Sequence, residues 1–331
     1  MRQLASIQRI RALDPIENAD AIVRATVLGW QLVVKKEEFQ VGDLCVYCEI
    51  DCLMPDKPEY EFLKKNGMRI RTIRLRGQIS QGLCLPLSIL PENAPITEGS
   101  DVTEILGITK YEPPMPASLA GLAKGFFPSF IPKTDETRVQ VLQDILDKYV
   151  GTTCFVSEKM DGSSVTYFFR NGEFGVCSRT LELLESEENS LWKFARENDL
   201  ENKLKAMGKN MALQGEIIGE GIQSNKYKLR GQTVLFFNVF DIDAFKYIDF
   251  QEFMDTIRQL GLTTVPILEK DFILTNDIPS LVNKGIGKSV LKNDVHREGI
   301  VIRPLTEQRD RDGRVSFKAI NPDFLLKFQD A

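Results

Sequence analysis

The sequence contains a single histidine, His296, among its 331 residues. Mechanisms that need two histidines are therefore excluded, and Ser-His-Asp chemistry is disfavoured. Long apolar runs are also lacking: residues 235–240 fall far short of the ~20 residues that a membrane-spanning helix requires. No apolar core of a signal peptide follows residues 1–3. These absences predict a soluble, intracellular, cytoplasmic protein with no membrane partner.

Cysteine is scarce too, with six residues and no secretory signal, which argues against a disulfide framework. Cys45 and Cys48 have the spacing that opens many zinc sites. Two residues three apart in a strand, however, point to opposite faces, and no second Cys-x-x-Cys or histidine pair follows. Buried, reduced strand cysteines are the favoured interpretation, and a zinc site is the alternative.

Positive charge is not in excess, because 42 Lys and Arg residues stand against 47 Asp and Glu residues, a net charge of −5. Any surface that binds phosphate groups must therefore be local. The apolar share of 43% and the charged share of 27% are those of an ordinary folded protein. At roughly 100–200 residues per domain, the length predicts two domains.

From residue 22 to about residue 90 the sequence consists of short β-rich runs separated by turn residues such as Gly29, Gly42 and Gly77. Five short strands in so few residues are typical of an OB-like barrel, although other small all-β domains share the pattern. The predicted strands are residues 22–27, 30–35, 44–50, 69–76 and 83–87. We therefore predict an OB-like domain at residues 1–110.

Pro113, Pro114 and Pro116 then interrupt every periodicity, which predicts a linker or crossing segment at residues 111–135. Beyond it strands alternate with helices, but no βαβ repeat is visible, so residues 136–331 are expected to form an α+β domain with mainly antiparallel sheets. The predicted helices are residues 136–149, 190–208, 251–260 and 278–285. The predicted strands are residues 154–157, 165–170, 174–178, 213–218, 234–241, 298–303 and 316–319.

One segment, SEKMDGSS at residues 157–164, places Lys159 directly after an apolar strand and follows it with Asp161 and Gly162. A lysine held in this way at the bottom of a pocket can attack phosphorus or carbon once it is deprotonated. Taken alone, the segment is more typical of an exposed turn with ordinary charges.

Five later segments change that interpretation, because each puts a charged or aromatic residue at or beside the end of a predicted strand. They are GVCSRT (175–180), QGEIIG (214–219), FNVFDI (237–242), REGIVIR (297–303) and SFK (316–318). In this order the set resembles the signature elements of the lysine-dependent covalent nucleotidyltransferases, the superfamily of RNA ligases, DNA ligases and mRNA capping enzymes.

The chain is most similar to RNA ligases of the Naegleria and Deinococcus type. The OB-like domain comes first, the glutamate Glu216 leads into GIQSN at residues 221–225, and the chain ends with SFKAIN and FLLK. Residues 132–140 resemble the segment that precedes the catalytic strand in these RNA ligases. One departure is Ile320, which stands where other RNA ligases often carry a second lysine after the one matching Lys318; Lys327 is a candidate substitute.

The resemblance implies a three-step reaction. Lys159 attacks the α-phosphate of ATP, AMP passes to an RNA 5′-phosphate, and a 3′-hydroxyl then displaces AMP. An amine with a reference pKa of ~10.4 is mostly protonated at neutral pH, so the site must favour the neutral form through nearby cations. Bound Mg²⁺ or Mn²⁺ is the expected cation.

The resemblance also implies roles for the nucleotide-binding residues. Phe240 would stack on adenine, although such aromatics are more often core residues and Phe237 is a rival. Glu158 would read the exocyclic amine of adenine. Arg179 and Glu216 would hold the ribose or the RNA end.

The remaining roles concern charge. Asp161, Glu216 and Glu298 would hold metal-bound waters, because hard oxygen ligands suit Mg²⁺. Glu216 and Glu298 also fit solvent-exposed strand ends. Lys318 would meet the α-phosphate as a point charge. With Lys159, these residues make the predicted catalytic set.

Arg69, Arg71, Arg74 and Arg76 form the best local basic patch, on the predicted strand 69–76. Such a strand on an OB barrel is able to track an RNA backbone through counterion release, and a solvated face without a partner is the alternative. The overall prediction is a monomeric, ATP-dependent RNA ligase for 3′-hydroxyl and 5′-phosphate ends in nicked duplex RNA. The alternatives are a DNA ligase or another lysine nucleotidyltransferase, and a non-catalytic RNA-binding protein with a nucleotide pocket.

Overall fold

The computed structural model describes residues 3–112, 121–310 and 313–328. These residues form two compact units, one made of residues 3–112 and 325–328 and the other of residues 121–324. The prolines at 113, 114 and 116, where we predict the domain boundary, lie outside the described residues. In the described ranges no helix is both long enough and apolar enough to cross a membrane.

The first unit is built on one antiparallel sheet. Its strands are β1 (Ala5–Ile16), β2 (Ala19–Val27), β3 (Trp30–Lys35), β4 (Leu44–Cys48), β5 (Cys52–Leu53), β6 (Thr72–Leu75), β7 (Gln78–Gln81), β8 (Leu83–Leu85) and β9 (Thr109–Lys110). The sheet has the order β3-β2-β1-β4-β8, while β5 pairs with β9 and β6 forms a hairpin with β7. Two 3-10 helices, Pro58–Asn66 and Leu87–Ile89, complete the unit.

The central strand of this sheet, β1, has no counterpart in the sequence prediction. Residues 5–8 are buried on both faces, so they do not alternate between apolar and polar residues. Farther along the strand, Arg11, Asp14 and Pro15 are typical of turns and surfaces, yet Asp14 and Pro15 pair with β2. Pairing on both sides of β1 therefore overrides its weak local signal.

The second unit holds two larger sheets and most of the helices. Its strands are β10 (Ala123–Phe126), β11 (Thr137–Arg138), β12 (Thr153–Lys159), β13 (Ser163–Arg170), β14 (Glu173–Cys177), β15 (Leu181–Leu183), β16 (Met211–Gly219), β17 (Gln232–Asp241), β18 (Lys246–Tyr247), β19 (Ile267–Ile273), β20 (Gly299–Pro304), β21 (Arg309–Asp310), β22 (Gly313–Arg314) and β23 (Phe317–Ile320). Its helices are α1 (Gln143–Tyr149), α2 (Ser190–Glu197), α3 (Leu200–Ala206), α4 (Phe250–Gln259), α5 (Ile278–Gly285) and the start of α6 (Pro322–Lys327), with 3-10 turns at Val139–Val141 and Gln223–Asn225.

The two sheets are almost wholly antiparallel, as the α+β prediction requires. One sheet has the order β10-β15-β14-β13-β16-β17-β18, and the other has the order β11-β23-β20-β12-β19. Only the short pair of β11 and β23 in these two sheets runs parallel. The strand β10 lies within the predicted linker 111–135, so part of that segment belongs to the larger sheet.

Two predicted helices differ from the structure. Residues 136–149 are only helical from Gln143, because Thr137 and Arg138 pair with β23 and a 3-10 turn follows. Residues 190–208 form two helices instead of one. The break lies at Asp199, whose backbone is left-handed with a φ of 52°, a conformation that an α-helix cannot continue through.

The packing of the two sheets places the catalytic strand. Val156 of β12 belongs to a core cluster with Leu281 of α5, on one face of the smaller sheet. Phe155, on the opposite face, shares a cluster with Phe236 of the larger sheet. Because strand residues alternate, Lys159 lies on the same face as Phe155. The lysine therefore faces the larger sheet.

Candidate active site

Lys159 is the last residue of β12, and its Cα lies opposite that of Gly299 in β20. The chain turns immediately afterwards at Gly162. A Cβ atom on Gly162 would lie 2.3 Å from the carbonyl oxygen of Ile217, so this turn approaches β16 more closely than any larger residue permits. The glycine therefore allows the lysine turn to pack against the strand that carries Glu216.

The Nζ atom of Lys159 lies 2.7 Å from Oε2 of Glu298, and both side chains are largely buried. Burial lowers the pKa of Lys159, but the charges of Glu298, Glu216 and Asp161 outweigh burial and raise that pKa above its ordinary value. The free protein therefore holds the lysine as an ammonium ion. A nucleophilic role requires a further positive charge that competes for these carboxylates.

The carboxylates around Lys159 resist being ionised together. Burial, with repulsion from Glu298 and Asp161, raises the pKa of Glu216 to about 8. Burial, followed by repulsion from Glu298, raises the pKa of Asp161 to about 6. A divalent cation relieves such repulsion, and oxygen ligands suit Mg²⁺ and Mn²⁺. In the part of the chain that the structure describes, no three acidic, His or Cys side chains converge closely enough to bind an ion directly, so the set fits an ion held through its water ligands.

Asp161 is fixed by a neighbouring turn that the sequence analysis did not assign to the site. Its backbone N–H donates to Oη of Tyr227 at 2.8 Å, and its carboxylate pairs with the ammonium group of Lys226. The preceding residues 223–225 have left-handed φ values of 44°, 58° and 44°. Backbone of this kind is costly and clusters at functional sites. The sequence signal for Lys226 is its position directly after the GIQSN segment at residues 221–225.

Lys318 lies in β23 beside a second cation. Its Cα pairs with Val301 of β20, and Arg138 of β11 lies next to it in the parallel pair. Burial lowers the pKa of Lys318 to about 7, and repulsion from Arg138 and Lys159 contributes to this shift. A half-buried cluster of three cations suits a polyphosphate, which supplies further negative charge.

Arg138 is therefore a second candidate, besides Lys327, for the role of the missing second lysine. Ile320 is buried at the end of β23, opposite Gly299. Arg138 supplies the cation next to Lys318. Lys327 belongs to residues 325–328 of the first unit, with its Nζ 5.3 Å from the ring centre of Phe328.

Glu158 precedes Lys159 and lies on the opposite face of β12. Its Oε2 atom accepts a hydrogen bond of 2.8 Å from the backbone N–H of Val290. Burial raises its pKa, although hydrogen bonds from Ser289 and Val290 oppose the rise. Its Oε1 atom is buried and has no hydrogen-bond partner among the described residues. That oxygen is available to accept a hydrogen bond from a ligand.

Phe240 does not have the exposure that a stacking role needs. It is 1% exposed and packs edge-on against Phe245 and Tyr247, at ring distances of 5.3 Å and 5.0 Å. Phe237 is only partly buried and packs against the cluster that contains Met160, the residue after the lysine. Phe240 is therefore too buried to stack on a ligand, and Phe237, the rival in the sequence analysis, is the more accessible candidate. A bulge in β17 between Phe236 and Asn238 changes the alternation of the strand between the two rings.

Arg179 lies at the turn after β14 and is exposed. Its Nη2 atom lies 2.7 Å from Oδ1 of Asp135. The adjacent Thr134 hydroxyl shares a hydrogen bond of 2.9 Å with that of Ser164, the residue opposite Glu216 in the sheet. Arg179 therefore lies at the end of the sheet that carries the carboxylates.

The arginine patch of the first unit is split by the fold. Arg69 precedes β6, is 5% exposed, pairs with Asp51 at 2.7 Å, and lies over the ring of Tyr111. The proposed RNA contact by Arg69 is therefore corrected to a structural role. Arg71 is half-buried, whereas Arg74 and Arg76 are exposed on the β6–β7 hairpin. Buried ion pairs of this kind give no local sequence signal.

A buried ion pair elsewhere in the second unit also has no sequence prediction. Arg303 of β20 donates to Glu136 at 2.8 Å, to the Ser316 hydroxyl at 2.9 Å and to the Phe237 carbonyl at 2.9 Å. Its side chain is 2% exposed. The pair joins β20 to the segment that leads into Arg138. Arg303 therefore connects β20 to Glu136, to Phe237 of β17 and to Ser316, which precedes β23.

Comparisons with known proteins agree with this architecture. A family model described as RNA ligase matches residues 152–320, and an OB-fold domain model matches residues 4–87. A search of curated proteins finds no match.

Several solved structures of one ligase are similar over the whole chain. A mutant of Naegleria gruberi RNA ligase in the apo form is 42% identical, with a TM-score of 0.92 and coverage of 100% of this chain and 99% of that one. A mutant with ATP and Mn is 42% identical, with a TM-score of 0.92 and coverage of 99% and 100%. The ligase with PPi is 41% identical, with a TM-score of 0.92 and coverage of 100% of both chains. The predicted OB-fold and α+β ligase architecture is confirmed.

Proposed function

Because the chain belongs to the RNA ligase family, we propose that it uses ATP to join 3′-hydroxyl and 5′-phosphate RNA ends at nicks in duplex RNA. The observation that carries this proposal is the grouping of Lys159 with Glu298, Glu216 and Asp161 on one side and Lys318 on the other. The solved relatives contain ATP, Mn or PPi, which supports ATP as the AMP donor.

The first step is the formation of a phosphorus–nitrogen bond. Nζ of Lys159 loses a proton and attacks the α-phosphorus of ATP, the bond to the β-phosphate breaks, and pyrophosphate leaves. Lys318 and Arg138 stabilise the negative charge of the phosphates, and partial burial of both cations strengthens this interaction. Asp161, Glu216 and Glu298 would hold a divalent ion through its water ligands, and the positive charge of that ion would weaken the hold of the carboxylates on the lysine proton.

Two transfers to RNA follow. An oxygen of the RNA 5′-phosphate attacks the same phosphorus, the bond to Nζ breaks, and Lys159 regains its proton. A 3′-hydroxyl then attacks the phosphorus of the activated 5′-phosphate, loses its proton and displaces AMP. In this scheme Arg179 contacts the ribose or the RNA end, Glu158 accepts from the adenine amine and Phe237 packs on the base. The support for these roles is the Oε1 atom of Glu158, which has no partner among the described residues, the exposure of Arg179 and the partial exposure of Phe237.

RNA engagement and nucleotidyl transfer are assigned to different units. We propose that the OB-fold unit, predicted at residues 1–110, engages RNA, and that residues 136–331 carry out nucleotidyl transfer. Arg74 and Arg76 on an exposed hairpin support the first role. The site residues named above all lie between positions 138 and 318, which supports the second.

The proposal is tested by sealing assays on matched substrates. A 5′-labelled strand is presented at a nick in duplex RNA, at a nick in duplex DNA and as single-stranded RNA, with ATP and either Mg²⁺ or Mn²⁺. We expect sealing at the RNA nick to be fastest, and 5′-hydroxyl RNA to remain unsealed. Faster sealing of the DNA nick, or binding of RNA with no sealing of any substrate, would contradict the proposed function.

A further inference from the structure

The edge of the larger sheet carries an aromatic side chain that has no packing role. Phe126, at the end of β10, is 89% exposed, the highest value among the large apolar side chains of the described residues. All four residues of this strand are exposed. Edge strands usually carry charged or small residues at such positions, because an exposed apolar edge invites aggregation. Stability of the fold therefore does not account for a phenylalanine here.

Two cationic residues lie near Phe126 along the backbone of the sheet. Lys124 lies where the pairing of β10 with β15 shifts register, and bulges of this type re-aim side chains. Its Nζ lies 2.7 Å from Oε1 of Glu182. Arg179 is held close by, because the backbone N–H of Phe127 donates to the carbonyl of Thr180 at 2.9 Å. Lys124 and Arg179 are about half exposed, and exposed ion pairs contribute little, so both cations are able to exchange their partners for phosphates.

The distance from the reacting atoms follows from the sheet order. The strand β10 is three positions from β13, which carries Ser164, and four from β16, which carries Glu216. With ~4.8 Å between neighbouring strands, Phe126 lies roughly 14–19 Å from these residues across the sheet. A stacked nucleic acid strand advances roughly 3.4 Å per nucleotide, so this distance corresponds to about four to six nucleotides.

From this arrangement we infer that Phe126 and Lys124 form a platform for single-stranded RNA, and that the strand runs from this platform past Arg179 to the ligation junction. One unpaired base stacks on Phe126, about four to six nucleotides from the reacting end, while an adjacent phosphate meets Lys124. Aromatic rings in proteins bind unpaired RNA bases in this way, and the bases of a continuous duplex are not accessible to them. The inference rests on the proposed ligase function and adds a preference for RNA with an unpaired flank.

The test measures binding of RNA to the full chain without ATP, so it does not depend on sealing. Two RNAs share the same nick, one fully paired and one with an unpaired flank that carries 2-aminopurine at successive positions. We expect Phe126→Ala to weaken binding of the unpaired-flank RNA about 5–150-fold, the loss of one stacked base, and to leave the paired RNA unaffected. Phe126→Trp should preserve the affinity. The fluorescence of 2-aminopurine should be quenched only at positions about four to six nucleotides from the nick.

Matched variants complete the experiment. Phe245→Ala removes a phenylalanine that is 46% exposed near the opposite edge of the same sheet, and should leave both affinities unchanged. Lys124→Ala should reduce the salt dependence of unpaired-flank binding. Equal binding of that RNA by wild type and Phe126→Ala overturns the inference, as does self-association through Phe126 without any effect on RNA. If the wild type binds the unpaired flank as expected but seals no RNA, the proposed function fails and the platform stands.

Discussion

The Nζ atom of Lys159 lies 2.7 Å from Oε2 of Glu298, so the proposed nucleophile is paired with a carboxylate before any nucleotide binds. This pair, with Glu216 and Asp161, keeps the lysine protonated. Neutralising Glu298 should therefore have two opposite effects. It should make the free lysine more reactive and at the same time make the ligation site less able to hold the divalent ion.

We expect Glu298→Gln to lower the pKa of Lys159 in the free protein, because the principal charge that raises this pKa is lost. Competitive acetylation, followed by peptide mass spectrometry over a pH series, measures that pKa. The same variant should form lysyl-AMP at least tenfold more slowly, an effect in the range of one lost charge contact. Glu269→Gln, which breaks a surface pair with Lys284, is the control. An unchanged acetylation profile in Glu298→Gln would show that the pair does not govern the lysine.

Lys318 should contribute mainly to the rate of adenylylation, and less to the binding of ATP. The attack on phosphorus accumulates charge on the nonbridging oxygens, and a preorganised buried cation stabilises that charge. We predict that Lys318→Ala slows single-turnover adenylylation about 100–1,000-fold at saturating ATP, in the range seen when one preorganised donor is removed. Lys327→Ala should change the rate much less. A near-normal rate for Lys318→Ala would mean that another residue meets the α-phosphate.

The buried pair of Arg303 and Glu136 should make stability sensitive to acid. Burial raises the pKa of Glu136, but the charges of Arg303 and Arg314 outweigh it and hold the pKa below its ordinary value. A carboxyl with a lowered pKa stabilises the fold above its unfolded pKa of about 4.3, and that contribution disappears as the pH falls below this value.

Glu136→Gln should therefore lower the free energy of unfolding by about 3–5 kcal/mol at pH 7, because it leaves a buried guanidinium with reduced compensation. The difference from wild type should shrink below pH 4. Denaturant unfolding of both proteins at pH 7 and pH 3.5 measures this. A difference that stays constant across the two pH values contradicts the assigned ionisation of Glu136.

The arginines of the first unit should separate into two classes. Arg69→Ala should cost about 1.5–3 kcal/mol of stability, since it removes a buried charged hydrogen bond to Asp51. Arg74→Ala with Arg76→Ala should change stability by less than about 0.5 kcal/mol, but should reduce the salt slope of RNA binding by about 1 for each lost phosphate contact. The two measurements are thermal unfolding and RNA titration at several salt concentrations. An unchanged salt slope in the double variant would remove the hairpin from the RNA interface.

The sequence was most informative where function and local pattern coincide. The strand before Lys159 and the order of the later segments predicted the ligase domain, because each chemical residue follows a recognisable apolar run. Helix α5 was predicted with its observed bounds, residues 278–285. These features depend on residues that are close in the chain.

Features that depend on distant residues were not predicted. The strand β1 is specified by its pairing with β2 and β4 on its two sides. Asp14 and Pro15 weaken its local strand pattern, so the sequence alone does not predict it. The choice between Phe237 and Phe240 depends on a bulge set by β16 and β17. Arg138 reaches Lys318 only through a parallel pair that spans some 180 positions of the chain. No short window of the sequence contains both Ser6 of β1 and its partner Tyr47 of β4, or both Arg138 and Lys318.

Covalent labelling of the protein tests the account most directly. Full-length protein is incubated with α-labelled ATP and Mg²⁺ or Mn²⁺, separated by denaturing electrophoresis, and the labelled peptide is identified by mass spectrometry. We expect a labelled band with AMP on Lys159 in the wild type and in Lys193→Arg, which alters an exposed surface lysine. We expect no band for Lys159→Arg, because a guanidinium stays protonated and does not attack phosphorus. An AMP adduct that persists in Lys159→Arg would contradict the account.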